Sequence, residues 1–316
     1  MGRFLGVAPE ALRLLPQTRQ AVQEVIAGLP LNPGDEVLAS DHEYPLCREL
    51  WLAQAQARGF AYREMHLPLP LATGSHDDWV ERVWKAVTPQ TRVLYFSHIT
   101  CLTALVTPVR QLCQRAREQG IVTVVDGAHA VGQLEVNLSH LDPDFYAGCL
   151  HKWVGAPYGA AFLYAKDHEP AQLPLSAEQQ LPLLASLAAL EPLLADPTSM
   201  AAELRRARSV ALRAREVVTS WTGLPAFQPI GEEWTARMIA LPLPPTLGEA
   251  MKVQHHLAAR GFSTNVHDWQ GKRILRLCVG KQDGQPEVDA LLEALHSVPR
   301  PPRPSLWAAI KRRILR

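Results

Sequence analysis

The run Ile121-Val122-Thr123-Val124-Val125 ends in Asp126-Gly127-Ala128-His129, and a second short run, Asp144-Phe145-Tyr146-Ala147, leads to Cys149-Leu150-His151-Lys152-Trp153. A short apolar, β-branched run reads as a strand buried on both faces. In an open α/β sheet, ligands bind beyond the C-terminal ends of such strands. A lysine there can condense with a carbonyl, and an acid there can hold a protonated ring nitrogen. Asp, His and Lys so arranged suit pyridoxal 5′-phosphate (PLP). Lys152 would form a Schiff base with its aldehyde, and Asp126 would pair with the pyridinium nitrogen to keep the ring an electron sink. Taken singly, a lysine after a strand is usually a solvated loop residue and an aspartate is often a helix N-cap. The combination, not either residue, carries the reading.

The elements that must position these groups alternate along the chain. The spacing predicts a helix from Thr18 to Gly28, a strand Glu36–Ser40, a helix Leu46–Arg58 and a strand Phe60–Met65. A helix capped at Ser75, a strand Arg92–Phe96 and a helix Val109–Gln119 follow. This β-α alternation predicts a doubly wound, mainly parallel sheet. From Gln172 to Asp196 the chain is rich in Leu, Ala and Pro, read as an apolar helix broken at Pro182 and Pro192. Met200–Trp221 reads as a long helix with an arginine-rich outer side. A second α/β unit then offers strand Thr235–Leu241, helix Leu247–Arg260, strands Phe262–Val266 and Arg273–Val279, and helix Glu287–His296. The expected organisation is a large domain over 1–195, a connector helix over 196–221, a small C-terminal domain over 222–298 and a basic tail over 299–316.

Composition removes several function classes. Of 316 residues 47% are hydrophobic, enough for a large core, and 32 basic against 31 acidic residues give a net charge of +1, no electrostatic basis for binding nucleic acid. No apolar stretch is long enough to span a membrane, and the start Met1-Gly2-Arg3-Phe4-Leu5-Gly6 lacks the apolar region of a secretory signal. Five cysteines without CxxC spacing suit a reducing cytoplasm. His255-His256 has no companion ligands, so no metal site is expected. Gly155 to Gly159 follows the lysine rather than a first strand, which removes a dinucleotide-binding reading.

The ordered series Val125-Asp126-Gly127-Ala128-His129-Ala130-Val131-Gly132, Asp144-Phe145-Tyr146 and His151-Lys152-Trp153-Val154-Gly155-Ala156-Pro157-Tyr158-Gly159 resembles the class V aminotransferases. The resemblance is nearest to their isopenicillin N epimerase-like branch. It extends to Pro33-Gly34-Asp35-Glu36, Asp41-His42-Glu43-Tyr44-Pro45, Ser97-His98-Ile99-Thr100 and Arg273-Ile274-Leu275-Arg276-Leu277. It implies a fold-type I PLP enzyme and a homodimer. It also implies roles: Lys152 catalytic; His129 on the ring's phenolic oxygen; Tyr44 on the ring face; His151 on the phosphate; Arg276 on the substrate carboxylate. His98 and Thr100, in the loop after a sheet strand, are expected to line the ring's far side. Thr18 and Arg19 open a helix, where free N–H groups favour a phosphate, although the family carries a small hydroxyl pair there. Cys149 and Cys101 stand where the family has polar cofactor contacts. The family's Gly-Thr pair after the lysine is replaced by Leu173-Pro174-Leu175-Ser176-Ala177-Glu178, and a further N-terminal segment is implied ahead of Met1.

The expected activity is a PLP-dependent reaction at the Cα of an amino acid, of aminotransferase or epimerase type. Cysteine desulfuration is disfavoured because Asn265 to Arg273 holds no cysteine. The alternative is a truncated, catalytically weak or silent homologue that serves as a binding or partner subunit.

Overall fold

A computed structural model describes residues 1–71, 75–166, 176–229 and 231–299. Segment 173–175 and the basic tail from residue 300 lie outside them. In the N-terminal part α1 (Gly2–Leu5) precedes β1 (Leu12–Leu15), α2 (Thr18–Gly28), β2 (Glu36–Ser40), α3 (Pro45–Arg58) and β3 (Ala61–Met65). Then come α4 (His76–Ala86), β4 (Thr91–Ser97), α5 (Val109–Glu118), β5 (Val122–Asp126), α6 (Leu138–Leu141), β6 (Phe145–Cys149) and β7 (Ala161–Ala165). Two long helices follow, α7 (Ala177–Ala195) and α8 (Pro197–Thr222). The last part holds β8 (Met238–Leu243), α9 (Ala250–Ala258), β9 (Asn265–Trp269), β10 (Lys272–Cys278) and α10 (Gln285–His296).

Seven strands form one sheet in the order β1-β7-β6-β5-β4-β2-β3, and three form another in the order β8-β10-β9. Strands β3, β2, β4, β5 and β6 run parallel, while β7 is antiparallel to both β6 and β1. The chain winds from β2 out to β3, then returns to β4 on the other side of β2. A crevice therefore opens beyond the C-terminal ends of β2 and β4, the switch point where such sheets bind ligands.

Helices cover both faces of this sheet. On one face Ala21, Val22, Val25 and Ile26 of α2 and Trp51 of α3 bury against Val37, Ala39, Val93, Tyr95 and Val124. On the other, Val80 and Val83 of α4 and Leu112 and Ala116 of α5 pack on Leu38, Leu94, Phe96 and Val125. Burying both faces explains why these strands read as near-continuous apolar runs. The small sheet has its own core with α8, α9 and α10, built from Ala207, Ala211, Ile239, Leu241, Val253, Leu257, Leu275 and Leu291. Its opposite face, through Met238, Ala240 and Ile274, joins the core of the large sheet.

Several details differ from expectation. Helix α7 runs through Pro182 and Pro192 without a break. Each proline removes one backbone donor, but Leu183, Ser186 and Leu190 are buried on one side and hold the segment in line. A Ser176–Gln179 capping box starts it, a few residues later than the expected start near Gln172. In the small sheet β8 begins later than expected, after a short turn at Glu232–Trp234. Strand β9 is likewise displaced towards the tight turn Gln270-Gly271, where both residues have positive φ. The edge strand β1 pairs with β7, and neither had an individual signal.

The turn after β5 depends on one small residue. A Cβ on Gly127 would lie 2.0 Å from Cε1 of the fully buried Tyr146, so nothing larger fits without moving that ring. Gly127→Ala should lower stability by about 1–3 kcal/mol, the usual cost of overpacking, read as a lower denaturation midpoint.

Candidate active site

Four parallel strands deliver side chains to one cavity of about 210 Å³. Its lining takes Tyr44 and Cys47 from the start of α3, Ser97, Ile99 and Cys101 after β4, Asp126, Ala128 and His129 after β5, and His151, Lys152 and Tyr158 after β6. Gln17, Thr18 and Arg19 at the N-terminus of α2 close one end. The structure thus gathers Lys152, Asp126, His129, His151, Tyr44, Thr18 and Arg19, which the sequence had spread along the chain. Thr100 and Arg276 are not in the lining. Thr100 lies between the lining residues Ile99 and Cys101, and its Oγ1 bonds Thr103 Oγ1 at 2.7 Å and accepts from Leu105 N–H at 2.8 Å. Arg276 crosses from the small sheet to donate to the Cys101 carbonyl and to its sulfur at 3.3 Å, while its Nε is buried without a partner. Neighbouring Arg273 is taken up by an ion pair with Asp268 (Nε···Oδ1 2.9 Å), so of the two arginines it is Arg276 that extends towards the cavity. The stretch from Asn265 forms the β9–β10 hairpin rather than a loop that could carry a cysteine.

Asp126 is deeply buried. Burial raises its pKa above the ordinary range, partly offset by the Lys152 ammonium and the Ala128 N–H, which donates to Oδ1 at 2.9 Å. The Cys47 thiol points at the same carboxylate, Sγ 3.9 Å from Oδ2. His129 lies between Lys152 and Trp153, with Nε2 3.3 Å from Lys152 Nζ and Nδ1 accepting from Trp153 Nε1 at 3.3 Å. Burial, then Lys152 and Arg276, push its pKa well below that of free histidine, so the ring is neutral. His151 is lowered by the same first two causes. Behind the cavity, burial takes His98 down to about 3, and its Nδ1 bonds the Tyr146 hydroxyl at 2.9 Å.

Two polar atoms bear on what the cavity can hold. Thr18 Oγ1 and His151 Nδ1 are both buried and have no hydrogen-bond partner. The orphaned Thr18 hydroxyl at the N-terminus of α2, beside Arg19, and the orphaned His151 nitrogen after β6 fit an anionic group, and Asp126 fits a cationic ring nitrogen. PLP carries both. Among the described residues no cluster could hold a metal ion, and no helix is long and apolar enough to cross a membrane.

The sequence profile of the family "Aminotransferase class-V" matches residues 12–178. Isopenicillin N epimerase of Amycolatopsis lactamdurans is 33% identical over 92% of this chain and 81% of its own length. The chain belongs to the class V aminotransferase family. Among solved structures, the cysteine desulfurase CsdA of Escherichia coli superposes with a TM-score of 0.78 at 20% identity, covering 94% of this chain and 81% of that one. A C-DES variant with glycine covalently linked to its PLP cofactor gives the same score at 19% identity, over 94% and 83%. These two share the fold-type I architecture. The protein is accordingly a PLP-dependent enzyme of class V.

Sequence reasoning missed Ser97, Cys47, Tyr158 and, one layer out, Glu43. Ser97 ends an apolar strand, as Asp126 does, and that position was the available signal. Glu43 gave none, because a glutamate in a turn is ordinarily solvated. It is fully buried here, accepting from Ser40 Oγ and Ser97 Oγ at 2.6 Å each. Burial raises its pKa from 4.5 to about 7, against those two hydrogen bonds and with the help of Asp126. The folded state therefore holds a proton there that the unfolded state has released, and the resulting stability is present at acid pH and lost as pH rises towards 7. Glu43→Gln should remove this slope. From about pH 5 to 8 wild type should lose up to about 3 kcal/mol relative to the variant, measured by urea denaturation at each pH.

Proposed function

We propose that the protein acts at the Cα of an amino acid, in an epimerase-like or aminotransferase reaction with Lys152 as the catalytic residue. The observation that carries this is the convergence of Lys152 and Asp126, from adjacent parallel strands, on one cavity with neutral His129 between them. Bound PLP supplies an electron sink that lowers the cost of negative charge at Cα. The chain supplies the rest. Asp126 would hold the ring nitrogen's proton by charge, Tyr44 would cover a ring face, and Thr18, Arg19 and His151 would take the phosphate. Lys152 Nζ would hold the cofactor and could move a proton at the substrate Cα. Arg276, held on Cys101 beside the cavity, takes the substrate carboxylate in a bidentate grip. The extended likeness to the Amycolatopsis epimerase favours the epimerase-like form. A silent partner-subunit role is disfavoured, since a scaffold has no use for an assembled Lys152–Asp126–His129 set. The free thiols Cys47, Cys101, Cys113, Cys149 and Cys278 fit a cytoplasmic enzyme.

A homodimer is part of this reading. On α7, Leu181, Leu184 and Leu187 are 66%, 60% and 59% exposed on one face, while Leu183 and Leu190 are buried on the other. Tyr158, 69% exposed, lines the cavity and neighbours Gly159, whose Cβ position meets Pro182 of α7. An apolar face continuous with the cavity mouth fits a second copy that covers both.

Purified protein with PLP should show a visible absorbance band that borohydride fixes covalently, and Lys152→Ala should abolish the fixation. Absence of fixation in the wild type would overturn the assignment. Leu184→Glu with Leu187→Glu should shift the sedimentation coefficient from dimer to monomer and weaken PLP retention. An unchanged coefficient would remove α7 from the interface.

A further inference from the structure

Trp153 follows the cofactor lysine, yet its indole turns towards His129 rather than into the cavity lining. Indole nitrogen is a donor only, so the His129 nitrogen that receives it, Nδ1, must present a lone pair. A neutral imidazole with a lone pair on Nδ1 carries its hydrogen on Nε2. That nitrogen faces the cavity, 3.3 Å from Lys152 Nζ. Lys152 competes for a lone pair on Nε2 while it is an ammonium, and that competition ends once its nitrogen is committed to the cofactor, leaving Trp153 to set the tautomer.

We propose that Trp153 is a positioning residue that fixes His129 in its Nε2–H tautomer and aims that hydrogen at the cofactor's ring oxygen. This rests on the PLP reading. An anionic ring oxygen needs a donor, and the other tautomer would set two lone pairs against each other.

Both the backbone and the ring of Trp153 are held in place. Gly132, at φ 88°, lets the backbone of Trp153 and Val154 approach so closely that a Cβ would stand 2.8 Å from the Trp153 carbonyl carbon. Over the ring lies the Arg237 guanidinium, 5.9 Å from its centroid. Arg237 is anchored by Glu203 of α8 at 3.0 Å and by the Val279 carbonyl at 3.1 Å. Gln133 adds a second tie: its side chain donates to the His129 carbonyl and accepts from Met238 N–H at 2.8 Å. The small sheet thus braces, through Trp153, a hydrogen in the cavity of the large one.

The test begins with cofactor-free Lys152→Ala labelled with ¹⁵N-histidine, in which the competing ammonium is gone and the ring-nitrogen shifts report the tautomer directly. This protein should show hydrogen on Nε2 of His129. Adding Trp153→Phe keeps an aromatic ring but removes the donor, and should lower the tautomer ratio by about fivefold to tenfold, the share one hydrogen bond holds. Hydrogen on Nδ1 in Lys152→Ala would overturn the proposal whether or not the double variant folds. So would unchanged shifts in the double variant. PLP titrations then separate positioning from packing. Trp153→Phe should weaken PLP binding several-fold in the wild-type background and leave it unchanged on His129→Gln, which has no tautomer to fix. An equal loss in both backgrounds would make Trp153 a packing residue. If neither protein takes up PLP, the cofactor reading fails while the tautomer result stands by itself.

Discussion

Asp126 is a carboxylate taken out of water, and the surrounding structure is arranged around that cost. Removing an acid from solvent raises its pKa unless charge and hydrogen bonds compensate. Here the compensation comes from the Ala128 N–H and from Lys152, which arrives on the neighbouring strand. The compensation is partial, because the pKa remains above the ordinary value, and a cationic partner in the cavity would complete it. Placement of Asp126 relies on the turn at Gly127, whose approach to Tyr146 leaves no room for a side chain. Tyr146 is in turn tied to neutral His98. An unbroken packed path therefore runs from the floor of the sheet to the acid.

The same region holds a second buried acid, Glu43, joined to the cavity through Ser97. Burial raises the pKa of both acids, and the charge of Asp126 raises that of Glu43 further. A cationic ring nitrogen at Asp126 would favour the charged form of that carboxylate.

Contacts across the two sheets give the cavity its remaining walls. Arg276 of β10 reaches Cys101, and Gln270 of the β9–β10 turn donates to Asp41 at 2.6 Å. Trp269 stands edge-on to His42 with centroids 4.5 Å apart. Met238 N–H bonds Gln133, in the segment that also carries His129. With a core shared through Met238, Ala240 and Ile274, these contacts join the two sheets, so a substrate-binding arginine from one can serve a lysine from the other.

The amino-acid sequence by itself determined the doubly wound sheet, the ends of most of its parallel strands and the pairing of Asp126 with Lys152. Those follow from local causes: buried strands demand continuous apolar residues, helices demand a 3.6-residue repeat and a cap, and both patterns are written in consecutive positions. What only the tertiary structure decided depends on residues far apart in the chain. The burial of Glu43 needs Ser97. The turning away of Thr100 needs Thr103 and Leu105. Continuity of α7 through two prolines needs the core beneath it. The tautomer of His129 needs Trp153, and the posture of Arg276 needs Cys101. Each is settled by which groups meet in a space without water, and a linear pattern carries no record of that meeting.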